Sequence, residues 1–254
     1  MSGAATKPLE GIRAVGFDIG NTLVEYRGIP LSWQSLYRVA LTDAAAALDR
    51  EVDEDGMRAA EEILARYNTR LHPREHEVSY REIFGAILEA WVVPADFVED
   101  AAQAFFAHFN REAQLFADTV PVLTALNSRG LRCGLLTDLP YGMNPDLTRE
   151  QIAPIRHLVG ALVTSTEIGF RKPAPPGYLE LCQELGVAPA ETVYVGDEPK
   201  DAIGAVRAGL VPVLIDRSPA GNPGSDLSVV AGSGLAGVRV IRSLHQLLRL
   251  LPGD

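Results

Sequence analysis

Lysine is nearly absent from this chain, which carries it only at Lys7, Lys172 and Lys200 and otherwise draws positive charge from arginine. Cationic charge is scarce altogether: 33 acidic against 23 basic side chains leave a formal net charge of -10. That balance excludes a general nucleic-acid binder, because phosphate backbones demand clustered Lys and Arg. It does not exclude a small anion, which responds to the local field. Cysteine is reduced to Cys133, in an apolar strand pattern, and Cys182, in a helix pattern. Two buried, reduced thiols are expected rather than a disulfide framework. No run approaches the ~18 apolar residues needed to span a bilayer, and the opening MSGAATKPLEG has no apolar signal core. The expectation is a soluble cytoplasmic protein with neither membrane nor nucleic acid as partner; the sequence leaves its oligomeric state open.

What is present is a change of rhythm along the chain. With 47% hydrophobic and 22% charged residues, its 254 residues can bury a sizeable core. Residues 12–17 form a short apolar run followed by Asp, Gly and Asn, the mark of a buried strand entering a loop. From Ser32, a candidate N-cap, the pattern turns helical, with Trp33, Leu36, Tyr37, Ala40 and Leu41 on one face. Further helices are expected near 55–67, after Ser79 with Ile83, Ile87, Leu88 and Trp91 inward, and from Pro94 with Phe97, Ala101, Phe105 and Phe109 inward. No strand is expected between Val24 and Leu115. Beyond, helices over 120–129, 178–185, 202–208 and 244–251 alternate with strands over 132–136, 161–163, 192–195, 211–215 and 238–241. A Gly-, Ser- and Pro-rich stretch over 217–237 reads as a surface loop. This alternation predicts an α/β fold with a parallel sheet, interrupted after its first strand by an all-helical insertion.

Parallel strands bring their carboxyl ends to one edge, where open α/β sheets bind ligands. Four such ends carry polar residues. The first strand ends in Asp18, followed by Gly20, Asn21 and Thr22; the next ends in Thr137 and Asp138; a third leads to Arg171-Lys172; the run VYV ends in Gly196-Asp197, with Asp201 four residues on. Singly, each has an ordinary reading as a turn, a cap or a solvated loop residue. Jointly and in this order, they resemble the motifs of the haloacid dehalogenase (HAD) superfamily, over nearly the whole chain. The resemblance implies a Rossmann-like core (1–24 and 116–254) under a helical cap (25–115). It also implies Mg2+-dependent phosphoryl transfer through an aspartyl phosphate, on a small phosphorylated substrate. By the resemblance, Asp18 is the nucleophile and a metal ligand. Thr137 hydrogen-bonds a phosphoryl oxygen, and Lys172 holds nucleophile and phosphate together. Asp197 binds the metal, Asp201 stands behind it or orients Lys172, and Gly20 offers its backbone carbonyl. Asn21, Thr22, Asp138 and Arg171 are expected on the substrate side.

Gly20 departs from the pattern. Phosphatases of this superfamily usually carry aspartate there, to protonate the leaving oxygen and then help activate water; such acid–base help is worth ~10²–10⁴-fold. Glu25, Tyr26 and Asp138 are the candidates to replace it. A phosphonatase would need a cap lysine for its Schiff base, and residues 25–115 have none. A dehalogenase needs no metal and dispenses with the Gly-Asp pair that persists at Gly196-Asp197. A catalytically degenerate binding or regulatory protein is the remaining alternative. The cap is expected to turn Tyr26, Arg27, Trp33, Arg38 or Tyr80 toward the core, with His72 and Arg74 on a solvated loop. His108 and His157 have no partner at zinc spacing.

Overall fold

The computed structural model describes residues 9–110, 113–217 and 238–251; the loop expected over 217–237 lies outside the described residues except for its first position. In chain order the elements are β1 (Ala14–Phe17), β2 (Val24–Tyr26), α1 (Tyr37–Ala47), α2 (Glu54–Tyr67), α3 (Tyr80–Ala90), α4 (Val98–Asn110) and β3 (Ala113–Leu115). There follow α5 (Thr119–Ser128), β4 (Arg132–Thr137), α6 (Pro145–Gln151), β5 (Ala161–Thr164), α7 (Ser165–Ile168) and α8 (Pro176–Leu185). The chain continues through β6 (Thr192–Gly196), α9 (Pro199–Arg207), β7 (Val211–Ile215), β8 (Arg239–Ile241) and α10 (Leu244–Leu250).

Six strands form one sheet in the order β5-β4-β1-β6-β7-β8, and every neighbouring pair is parallel. Strands covered on both faces read as continuous apolar runs, which is why AVGF and TVYVG are buried throughout. Successive residues then face opposite layers. Val15 and Phe17 join one core with Val122 and Leu126 of α5 and Leu244 of α10. Ala14 joins another with Tyr178 and Leu181 of α8. Cys133 and Cys182 are free and buried, as expected. Among the described residues no helix is long and apolar enough to cross a membrane.

The helices between β2 and β3 pack on one another around Leu41, Leu64, Phe84, Ile87, Phe105 and Phe109. Asp53 and Ser79 cap α2 and α3 by accepting from the N–H of Gly56 and of Arg81. This apolar cluster is not the insert's alone. Leu139, Tyr141 and Met143, from the loop after β4, are buried within it. Gly142 lets that loop come close: it sits at φ +64°, and a Cβ there would fall 1.9 Å from the carbonyl oxygen of Val78.

Three expectations are corrected. β2 and β3 do form strands, pairing antiparallel from Val24↔Leu115 to Tyr26↔Ala113; at three residues each they are too short to show a period, and only their distant partners make them strands. Ser32 caps no helix: a 3-10 turn over Trp33–Leu36 precedes α1, and the Ser32 hydroxyl instead accepts from Asn68 Nδ2 at 3.2 Å. Phe97 closes a 3-10 turn before α4 and is partly exposed, while Ala101, Phe105 and Phe109 face inward as expected.

Candidate active site

β1 delivers Asp18 to the carboxyl edge of the sheet. Its N–H donates to the carbonyl of Val195 at 2.8 Å, which carries the β1–β6 ladder one residue past the strand. Lys172, on the loop between α7 and α8, donates from Nζ to Asp18 Oδ1 at 2.6 Å and lies 2.7 Å from Asp201 Oδ1. Asp201 sits in the first turn of α9, and its Oδ2 accepts the N–H of Glu198 at 2.9 Å. The carboxylate thus covers one of the donors that a helix start leaves open. Gly196 makes this approach possible: a Cβ there would lie 2.3 Å from the Asp201 carboxyl carbon.

Asp18, Asp197 and Asp201 each offer a carboxylate oxygen, all within 4.8 Å of one another. Lys172 is the ammonium among them. Burial raises the Asp18 pKa to about 6, against the opposing pull of Lys172. Burial, then the charges of Asp18 and Asp201, push Asp197 well above the usual carboxylate range. Burial opposes the charge on Lys172, but Asp18 and Asp201 outweigh it and hold the ammonium well above its ordinary value. Asp201 Oδ1 is buried and, though close to Lys172, has no hydrogen bond. A crowded set of hard oxygen donors with excess negative charge fits a divalent cation such as Mg2+.

Asp138, directly after β4, accepts from the N–H of Lys172 at 2.9 Å and from Lys200 Nζ at 3.0 Å. Burial works against its ionisation, but Lys200, Arg171 and Lys172 outweigh it and hold the carboxyl well below the usual range. It is therefore a fixed anion that positions the Lys172 loop, and a poor proton donor. Lys200 also lies 3.1 Å from Glu198, which Arg70 of the insert pairs with as well.

Above this edge lies a cavity of about 1260 Å³, bounded by Asn21, Tyr26, Trp33, Arg74, Lys172 and Asp197 among others. Of the expected substrate-side residues, Asn21 and Asp138 line it. Arg171 reaches its wall, but its guanidinium is taken up by Glu77 and by the Leu139 carbonyl. Thr22 is fully buried away from the wall, and its carbonyl accepts from Arg217. Thr137 ends β4 and is buried. Gly20 bridges to Val24, and a Cβ there would meet only the Tyr26 ring, at 3.5 Å. The Tyr26 hydroxyl donates to Gln151 Oε1 at 2.9 Å. Burial, and next the charge of Asp18, keep that hydroxyl protonated well above the ordinary phenol range.

From the insert, Tyr26, Arg27 and Trp33 do line the cavity. Arg38 does not; it pairs with Glu54 and Glu61. Tyr80 donates to Glu99 at 2.6 Å instead. Arg74, expected on a solvated loop, is half-buried and lines the cavity, whereas His72 is exposed. His108 Nδ1 meets Asp43 at 2.8 Å. Lys200, noted in the sequence only for the rarity of lysine, was given no place at the site. Its signal was there: one of three lysines, three residues after Asp197 on the opening turn of a helix.

A family model for haloacid dehalogenase-like hydrolases matches residues 12–209. The chain is 34% identical over 211 residues to the glyceraldehyde 3-phosphate phosphatase of Methanopyrus kandleri, covering 81% of this chain and 84% of that protein. It is 34% identical over 171 residues to the phosphoserine phosphatase of Thermus thermophilus, covering 64% of this chain and 66% of that protein. A 2-haloacid dehalogenase from Pseudomonas syringae is a structural neighbour, with a TM-score of 0.64 and 22% identity over 94% of this chain and 97% of that one. At that identity the likeness is one of fold alone.

Proposed function

Because the chain belongs to the haloacid dehalogenase-like hydrolases and is of their phosphatase type, we propose that it is a cytoplasmic, Mg2+-dependent phosphohydrolase of small phosphorylated metabolites. The observation that carries this reading is the set of three carboxylates around Lys172 beside a cavity. Residues 1–24 and 116–254 act as the core and 25–115 as the cap.

In this reading the Asp18 carboxylate attacks phosphorus in line. A bond forms from its oxygen to phosphorus as the bond to the leaving oxygen breaks, giving an aspartyl phosphate. Water then cleaves that phosphate, releasing inorganic phosphate and restoring Asp18. Lys172 holds the carboxylate in line and offsets charge on the phosphoryl oxygens, and the Thr137 hydroxyl donates to one of them. Asp18, Asp197 and the Gly20 carbonyl, with Asp201 behind, would hold Mg2+, which would supply positive charge to offset that of the phosphoryl group. Asn21 and Asp138 border the incoming ester. Without a carboxylate at position 20, Tyr26 is the protonated group beside the vacant place; its O–H, given to Gln151 at rest, would turn to protonate the leaving oxygen and would take a proton back from the attacking water.

The test is Mg2+-dependent phosphate release from an activated aryl phosphate by the native protein, Asp18→Asn and Gly20→Asp. Release by the native protein that is lost in Asp18→Asn supports the mechanism; undiminished release in that variant sinks it. Release by Gly20→Asp alone supports a site held short of catalysis. Silence in all three favours the binding protein that Gly20 itself brings to mind.

A further inference from the structure

The insert meets the core a second time, away from the strands that carry the chain in and out of it. In the loop between α2 and α3, Glu77 donates its N–H to the Gly169 carbonyl at 3.0 Å, and the Glu75 carbonyl accepts the Arg171 N–H at 2.9 Å. These two bonds flank His76 and Phe170, which pair antiparallel with their rings 5.1 Å apart. Residues 169–171 run directly into Lys172. The Glu77 carboxylate then enters the core, where it and Arg171 are both buried. Its Oε2 accepts from Arg171 Nη1 and, at 2.5 Å, from the Ser165 hydroxyl. Arg171 Nη1 also donates to the Leu139 carbonyl at 2.8 Å, and Ser165 Oγ accepts the Leu139 N–H at 2.9 Å. One oxygen of the insert thus gathers the Lys172 loop, the start of α7 and the loop after β4.

A surface ion pair yields easily, because water takes over both partners. A buried pair does not, since parting it leaves two charges uncompensated and strips hydrogen bonds from the groups around them. Lifting the insert from residues 169–171 would separate Glu77 from Arg171 in this way. It would also draw Leu139, Tyr141 and Met143 out of the insert's apolar cluster. The cavity already opens to solvent with the insert in place, so entry of a small molecule does not require that step. The same contacts bear on the chemistry. The Lys172 N–H is tied to Asp138, and the residue before it is tied to Glu75 and Glu77. Lys172 Nζ therefore reaches Asp18 from a backbone held partly by the core and partly by the insert. A reacting group displaced by a fraction of its contact distance loses much of its effect.

We propose that Glu77 is a positioning residue for Lys172, and that phosphoryl transfer runs with the insert docked on residues 169–171 rather than lifted from them. This inference rests on the phosphohydrolase reading and deepens it. His76 and Phe170 form a non-hydrogen-bonded antiparallel pair, a geometry that sets Cα atoms about 4.5 Å apart, within disulfide reach. The double variant His76→Cys/Phe170→Cys is oxidised with glutathione disulfide, while Cys133 and Cys182 stay buried. Phosphate release from the activated aryl phosphate is compared before and after oxidation. The cross-link is expected to leave kcat and KM within about twofold, because no lifting step limits turnover. Glu77→Gln is expected to lower kcat about tenfold to a hundredfold, the scale of a misplaced reacting group, with a much smaller change in KM. In Glu77→Gln the same cross-link restores kcat in part, a rescue that a merely destabilised fold would not show; circular dichroism checks folding. The oxidised double variant tests the docked state even where Glu77→Gln does not fold. Activity lost on oxidation and regained on reduction overturns the proposal, as does a pair that will not oxidise. Glu77→Gln with native kcat, or with a lost kcat that the cross-link does not restore, overturns it too. Silence of the native protein overturns the phosphohydrolase reading and this inference with it; every other adverse outcome overturns this inference alone.

Discussion

The core and the helical insert bury very different things. Among the described residues, the buried charged residues are Asp18, Asp118, Arg171, Lys172, Asp201 and Asp216, all of them outside the insert. The Glu77 carboxylate of the insert, its side chain 4% exposed, is buried too, but against Arg171 of the core. Otherwise the insert buries aromatic and aliphatic groups and one polar residue, Asn68, whose Nδ2 donates to the Tyr37 hydroxyl at 2.8 Å. Burying charge is costly unless it is paired, and a charge left in excess in a buried site invites a ligand. The core therefore holds stability back at its chemical edge, as functional sites commonly do. The insert spends its interior on packing and lends Tyr26, Arg27, Trp33 and Arg74, among others, to the cavity.

Breaking each region in turn sharpens the contrast. Asp18→Asn is expected to lower turnover by at least about 10⁴-fold, roughly 5.5 kcal/mol of barrier, while the protein stays folded; phosphate release and thermal melting check both halves. In the insert, Phe105 is fully buried with Phe84, Phe106 and Phe109 at ring distances of 5.2–5.5 Å. Phe105→Ala is expected to cost about 3–5 kcal/mol in urea unfolding.

The next largest effect separates the regions by pH. The Asp18 pKa rises from 3.8 unfolded to about 6 folded. Its contribution to stability is complete below 3.8 and is lost as pH rises through 6, on the order of 3 kcal/mol. Melting of the metal-free protein should fall across that window. Mg2+ requires the ionised carboxylate, so its affinity, read by titration calorimetry, weakens as pH drops below about 6. Asp197→Asn should raise the metal-free melting temperature at pH 8 but not at pH 4, since a carboxylate whose pKa is raised opposes folding only once ionised. The smallest effect tests Tyr26. Tyr26→Phe is expected to lower kcat about tenfold on alkyl phosphates and less on aryl phosphates, whose leaving groups need no proton.

Much of the chemical edge was legible because strand ends are local signals: Asp18, Thr137, Lys172 and Asp197 each follow a recognisable apolar run or a proline-marked loop. The parallel sheet was legible for the same reason. What sequence reasoning missed depends on partners far away in the chain. β2 and β3 are strands only because each finds the other. Arg74 resembles any loop arginine until residues 75 and 77 are seen tied to the core. Arg38 was expected among the insert residues turned toward the core, yet Glu54 and Glu61 on the neighbouring helix claim it. Arg171 sits beside Lys172 in sequence, but Glu77, reaching in from the insert, decides what its guanidinium does.

The loop carrying Leu139, Tyr141 and Met143 bears on how such a molecule can evolve. The chain enters and leaves the insert through one adjacent pair, Val24 and Leu115, the geometry of a module that could be exchanged whole. Yet the insert's apolar interior is completed by three side chains of the host, and they come directly after Asp138. A foreign module grafted between β2 and β3 would leave those side chains without a home, in the loop at the carboxyl edge of the sheet. A new lid for this core must therefore be acquired together with a new loop.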